Sequence, residues 1–210
     1  MDRAICFDLD DTLYPYEQYV ISGFRAAADR LEADIGVDLY EEFCRLYDDG
    51  VRRHTFDRAL EAAGYPDRPV DDLVEAFHGR VGPLEPYPGV PEVLERLSER
   101  YRLGLITDGR NGRAKLRELE FESTFDAVWI SPDRGISKAD VTPFVETAAQ
   151  LGVEPEQTTY VGDHPTIDVE RPGEIGMRTV RILRGRYASI PATVRPDVVI
   201  PTVRSLPSVC

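Results

Sequence analysis

Residues 4–12 read Ala4-Ile5-Cys6-Phe7-Asp8-Leu9-Asp10-Asp11-Thr12. Four apolar residues stop abruptly on an acid. A short apolar run without polar alternation predicts a strand buried on both faces, as in parallel sheets. Working outward, the same texture returns only after residue 100. Arg102–Thr107, Phe125–Ile130, Thr158–Val161 and Arg178–Leu183 read as strands, and Asp197–Ile200 as one more. Helical stretches separate them. Val90, Val93, Leu94 and Leu97 share a helix face, 111–120 follows the second strand, and Val141, Phe144, Val145 and Ala148 form another stripe. Thr142 reads as the N-cap of that last helix, with Pro143 at its first position. Residues 166–175 read as a helix interrupted near its end by Pro172. Alternating strands and helices predict an α/β fold, a Rossmann-like parallel sheet with helices on both faces.

Residues 15–85 break this alternation. Val20, Phe24, Ala27, Ala28 and Leu31 fall on one helical face. Tyr40, Phe43, Cys44 and Tyr47 repeat at helical spacing, as do Phe56, Ala59, Leu60 and Ala63, and Val70, Leu73, Val74 and Phe77. Four helices without an intervening strand predict a small all-helical cap domain inserted after the first strand. The expected division is a core of residues 1–14 and 86–210 and a cap of residues 15–85. The insertion reads as a lid over the functional edge of the sheet.

The 210 residues carry 38 Asp+Glu against 25 Lys+Arg, a net charge of −13. Such an acidic chain is a poor non-specific partner for nucleic acid. No apolar run approaches the roughly 18–20 residues of a membrane span, and the first residues lack a secretory pattern. Cys6, Cys44 and Cys210 are too few and too scattered for a disulfide framework or a zinc site, so a reducing cytoplasm is the expected setting. Lys115 and Lys138 are the two lysines, which leaves 23 arginines. An acidic, lysine-poor, arginine-rich chain suits a salt-loving host, although codon bias gives the same composition.

In open parallel sheets, ligands bind beyond the carboxyl ends of the strands. The first strand ends in Asp8, Asp10, Asp11 and Thr12, the second in Thr107-Asp108-Gly109, and the fourth in Gly162-Asp163, with Asp168 five residues on. Lys138 lies between the third strand and the next helix. Two carboxylates about 4 Å apart repel by about 4 kcal/mol at an effective dielectric near 20. A hard divalent cation removes that cost, and an all-oxygen donor set favours Mg²⁺ over zinc. Mg²⁺ commonly recruits phosphate oxygens, which points to phosphoryl chemistry.

FDLDDTL, LITDG, Lys138 and VGDHPTID resemble, in order, the four motifs of the haloacid dehalogenase superfamily, and the insertion resembles its helical cap of the first type. The resemblance covers nearly the whole chain. It implies a Mg²⁺-dependent phosphatase of a small phosphorylated metabolite, working through an aspartyl-phosphate. Asp8 would be the nucleophile, and Asp10 the acid toward the leaving alcohol and then the base toward water. Thr107, Asp108, Gly109 and Lys138 would hold the phosphoryl group, with Thr107 and Lys138 also counted as catalytic. Asp8, the backbone carbonyl of Asp10, and Asp163 would bind the metal. Asp168 would bind it directly, bind it through water, or hold Lys138.

Two positions depart from the family pattern. Ala139-Asp140 follows Lys138 where proline is usual, and Arg171-Pro172 stands where Gly-Ala is common. A 2-haloacid dehalogenase needs neither Asp10 nor Asp163, a phosphomutase often carries glycine at Thr12, and a silent phosphate-binding protein would have lost one of the key residues. Tyr14, Tyr16 and Tyr19 either line a pocket or pack cap on core. Monomer and homodimer are both compatible with the sequence.

Overall fold

A computed structural model describes residues 3–209; Met1, Asp2 and Cys210 lie outside the described residues. The described residues divide into two compact units, one of residues 3–16 and 85–209 and the other of residues 17–84.

The first unit holds a parallel sheet of β1 (Ala4–Phe7), β2 (Arg102–Thr107), β3 (Ala127–Ile130), β4 (Thr158–Gly162), β5 (Arg178–Ile182) and β6 (Val198–Ile200). Their order is β3-β2-β1-β4-β5-β6. β1 is central, with Phe7 opposite Leu105 on one side and Val161 on the other. Successive strand side chains point to opposite faces. All four residues of β1 are nonetheless fully buried, so both faces are covered. Ala4 and Cys6 join Ile106, Trp129, Phe144, Ala148 and Tyr160 in one core cluster, where Phe144 meets Tyr160 edge-on at 4.9 Å. The chain runs outward through β2 and β3, then returns to place β4 on the other side of β1. This reversal makes β1/β4 the switch point, where an open α/β sheet leaves a crevice at its carboxyl edge.

The second unit contains most of α1 (Tyr16–Ile35) and all of α2 (Tyr40–Asp48), α3 (Thr55–Ala62) and α4 (Asp71–Gly79). Phe24 is its hub, with the rings of Phe43, Phe56 and Phe77 at 5.8, 6.1 and 5.5 Å. Tyr19 shares a hydrogen bond with His78 Nδ1 at 2.9 Å. Val74 turns outward, so Leu73 and Phe77 carry the inner face of α4.

The remaining helices belong to the first unit: α5 (Val90–Ser98), α6 (Gly112–Glu118), α7 (Ser131–Arg134), α8 (Thr142–Gln150) and α9 (Glu170–Glu174). Three readings of the sequence need correction. β3 starts two residues later than expected. Thr142 is not the N-cap of α8; Asp140 Oδ1 accepts from the Thr142 N–H at 2.8 Å and from its hydroxyl. The helix expected over 166–175 shrinks to α9. The carboxylate of Asp168 folds back onto the His164 N–H at 2.9 Å and spends the preceding residues in a turn. Pro172 also lacks the N–H that a longer helix would need.

Candidate active site

β1 and β4 deliver Asp8 and Asp163 side by side at the carboxyl edge. The Asp8 N–H donates to Val161 O at 2.9 Å, which extends the ladder one residue past the strand and fixes where its side chain emerges. Carboxylate oxygens of Asp8, Asp163 and Asp168 lie within 4.8 Å of one another, all buried. At that spacing each pair of full charges repels by about 3–4 kcal/mol at an effective dielectric near 20.

Lys138 compensates part of this charge. Its ammonium donates to Asp8 Oδ1 at 2.5 Å and to Asp168 Oδ1 at 2.8 Å, with Tyr160 Oη at 3.3 Å. Burial works against the ammonium, yet Asp168 and Asp8 outweigh it and hold the amine well above its ordinary range. Thr12 Oγ1 donates to Asp8 Oδ2 at 3.2 Å. Burial, with Asp168 and Asp10 adding to it, pushes Asp8 up to about 7 despite Lys138. Asp163 fares worse. Its Oδ2 is buried without a hydrogen-bond partner. Burial and the charges of Asp8, Asp168 and Asp11 push it up to about 9.

A buried carboxylate oxygen with no donor, beside two more carboxylates, is a site built for a cation. The donors are all hard oxygens, which suits Mg²⁺. Asp168 is less free to ligate, because Oδ1 accepts from Lys138 and Oδ2 from the His164 N–H.

The other expected residues occupy distinct places. The Asp10 carboxylate accepts from Tyr14 Oη and from Lys115 Nζ. Thr107 is buried at the end of β2, where its Oγ1 accepts from the Gly109 N–H at 3.0 Å. Asp108 Oδ1 accepts from Ser131 Oγ at 2.5 Å and from the Lys138 N–H at 2.8 Å. It therefore ties the loop after β2 to the backbone that carries Lys138. Tyr14 Oη donates to Asp10 Oδ1 at 2.6 Å, whereas Tyr19 is committed to His78.

Two basic residues near the site carry signals that the motif reading passes over. Lys115 is completely buried against Asp10, and its place with Gly112, Leu116 and Leu119 on the buried stripe around α6 is legible as helical spacing. Arg181 is also buried. Its Nη2 donates to Tyr187 O at 2.9 Å and Ile190 O at 2.5 Å, and its Nε to Asp163 O at 3.4 Å, anchoring the segment after β5 beside the Asp163 loop. The signal is an arginine set between the apolar Val180 and Ile182 of β5.

Residues 5–182 match the family model of haloacid dehalogenase-like hydrolases. The chain belongs to that family. Among the haloacid dehalogenase-like hydrolases it is 35% identical to a glyceraldehyde 3-phosphate phosphatase of Methanopyrus kandleri, over 94% of this chain and 91% of the relative. It is 31% identical to a ribulose-1,5-bisphosphate 5-phosphatase of Halopiger xanaduensis, over 86% and 84%. A crystal structure of a 2-haloacid dehalogenase from Pseudomonas syringae pv. Tomato superposes with a TM-score of 0.72 at 30% identity, covering 100% of this chain and 98% of that one.

Proposed function

We propose that this hydrolase is a Mg²⁺-dependent phosphatase that cleaves a small phosphorylated metabolite through an aspartyl-phosphate on Asp8. The observation that carries the reading is the buried trio of Asp8, Asp163 and Asp168, with Asp163 Oδ2 left without a donor. When bound by Asp8, Asp163 and the backbone carbonyl of Asp10, with Asp168 at the edge of the set, Mg²⁺ supplies the positive charge that keeps these acids ionised and offsets charge on phosphoryl oxygens.

The residues of the chain divide the remaining work. Asp8 attacks phosphorus; its oxygen–phosphorus bond forms as the ester bond to the leaving oxygen breaks. Asp10 gives its proton to the departing alcohol. Asp10 then takes a proton from water, whose oxygen attacks the phosphoryl group and frees Asp8 and inorganic phosphate. Lys138, held between Asp8 and Asp168, offsets charge on the nucleophile and the transferring group. Thr107 offers its hydroxyl proton to a phosphoryl oxygen, its Oγ1 held in place by the Gly109 N–H. Asp108 sets the position of Lys138 through its backbone rather than by touching substrate.

The two phosphatases named above take their names from sugar phosphates, and we infer a short phosphorylated sugar as the substrate here. The likeness to a 2-haloacid dehalogenase favours a second reading with the same nucleophile. That chemistry has no need for a cation, and the bare oxygen of Asp163 speaks against it. Among the described residues no helix is long and apolar enough to cross a membrane. Cys6 and Cys44 are free thiols, in keeping with a reducing compartment, and the acidic surface suits a salt-rich one.

The test is phosphate release from an aryl phosphate, then from a panel of triose, pentose and glycolate phosphates, with and without Mg²⁺. Turnover should require Mg²⁺ and fall by at least ~10³-fold in Asp8→Asn, which removes the nucleophile. Turnover that survives Asp8→Asn, or chloride release from 2-chloropropionate without Mg²⁺, would overturn the reading.

A further inference from the structure

The sequence has two lysines against 23 arginines, and both lysines are buried on carboxylates of the first motif. Lys138 grips Asp8. Lys115, from α6, grips Asp10: its Nζ donates to Oδ1 at 2.7 Å and to Oδ2 at 3.0 Å. Tyr14 Oη adds a third donor to Oδ1 at 2.6 Å. Gly109 packs close to Oδ2. A Cβ there would strike Asp10 Oδ2 and come within 3.0 Å of Lys115 Nζ. The Lys115 ammonium also lies 5.8 and 5.3 Å from the ring centres of Tyr14 and Tyr16, inside cation–π range.

Burying an ammonium is costly, and a buried ion pair is a weak stabiliser compared with apolar packing. Such a pair is better explained by orientation than by stability. Lys115 holds both oxygens of Asp10 and Tyr14 holds Oδ1 as well, and the close approach of Gly109 leaves the carboxylate little room to rotate. We propose that Lys115 is a positioning residue: with Tyr14 and Gly109 it fixes the Asp10 carboxylate in the one orientation from which it serves the leaving oxygen and the attacking water. The proposal rests on the reading of Asp10 as the proton-transfer group.

Leaving-group dependence tests it. An alkyl phosphate needs a proton on its departing oxygen, whereas p-nitrophenolate leaves without one. First-turnover rates with glycerol phosphate and p-nitrophenyl phosphate are measured by rapid mixing in wild type, Lys115→Met, Tyr14→Phe, Asp10→Asn and the Asp10→Asn/Lys115→Met double variant. Lys115→Met should slow the alkyl substrate by ~10–100-fold and the aryl substrate by less than ~3-fold, part of the ~10²–10⁴-fold that general acid–base catalysis supplies. Tyr14→Phe should show the same split on a smaller scale. Adding Lys115→Met to Asp10→Asn should cost nothing more, since both act through one group. Equal slowing of both substrates, or a further loss in the double variant, would show that Lys115 merely supports the fold and would overturn the proposal. If Asp10→Asn itself lacks the split, the acid reading of Asp10 fails, and the role of Lys115 falls with it. Should Lys115→Met fail to fold, Tyr14→Phe carries the same comparison.

Discussion

Asp163 shows how one atom can set the behaviour of a site. Its Oδ2 has no donor, and its proton affinity is raised to about 9, far above an ordinary carboxylate. A carboxyl group whose folded value exceeds its unfolded value binds protons more tightly when native. Its contribution to stability is therefore complete below about pH 4 and is lost as pH rises through about 9. Asp8, raised to about 7, acts in the same direction. Without Mg²⁺, the protein should lose stability from weakly acid to weakly alkaline pH, and Mg²⁺ should restore it increasingly across that window. At a hundred times its Kd, Mg²⁺ adds about 2.7 kcal/mol, or roughly 5–10 °C in Tm, for a chain of this size. Thermal unfolding at pH 5.5 and 8.5, with Mg²⁺ or EDTA, should give a gain at least twice as large at pH 8.5. Asp163→Asn removes the cost of holding that carboxyl protonated in the native state, so in EDTA at pH 8.5 it should melt above wild type by a few degrees, about 1 kcal/mol, and respond little to Mg²⁺. Equal Mg²⁺ gains at both pH values would sink this account.

At the scale of elements, the strands were legible because each apolar run stops on a turn or an acid, and the carboxyl edge collects whatever follows. Asp8 and Asp163 could be placed this way from sequence alone. The partnership of Lys115 with Asp10 could not, because it joins residues 105 apart through the packing of α6. Its trace in the sequence is a lysine on a stripe otherwise made of small and apolar residues. The hold of Asp108 on the Lys138 segment left no trace, since there its partner is a backbone N–H. The shortening at α9 was half legible, through Pro172. Gly23 in α1 offers a test of packing against propensity. Alanine is favoured over glycine in a helix interior by about 1 kcal/mol. A Cβ at Gly23, however, would come within 2.5 Å of the Phe77 ring. Overpacking typically costs about 1–3 kcal/mol, so Gly23→Ala should be net destabilising by ~1 kcal/mol. Chemical denaturation that shows a gain in stability would mean that Phe77 yields freely.

Across the whole molecule, a net charge of −13 makes the folded state repel itself. Screening shortens the reach of that repulsion from ~10 Å at 0.1 M salt to ~3 Å at 1 M. The melting temperature should therefore rise by several degrees, ~1–2 kcal/mol, between 0.1 and 1 M KCl. Most of this gain should persist in Asp163→Asn, because the charges responsible are spread over the surface. A flat response would mean that surface pairs such as Arg68 with Asp34 and Asp72 already balance the repulsion. The restriction of lysine to two buried places has an experimental use. Protein grown on lysine enriched with a heavy nitrogen isotope at Nζ would show just two side-chain amine resonances, one reporting on Asp8 and the other on Asp10. An acylating reagent specific for primary amines would find neither lysine until the site opens. The chain thus carries its own pair of spectroscopic and chemical probes, already located where the chemistry is expected.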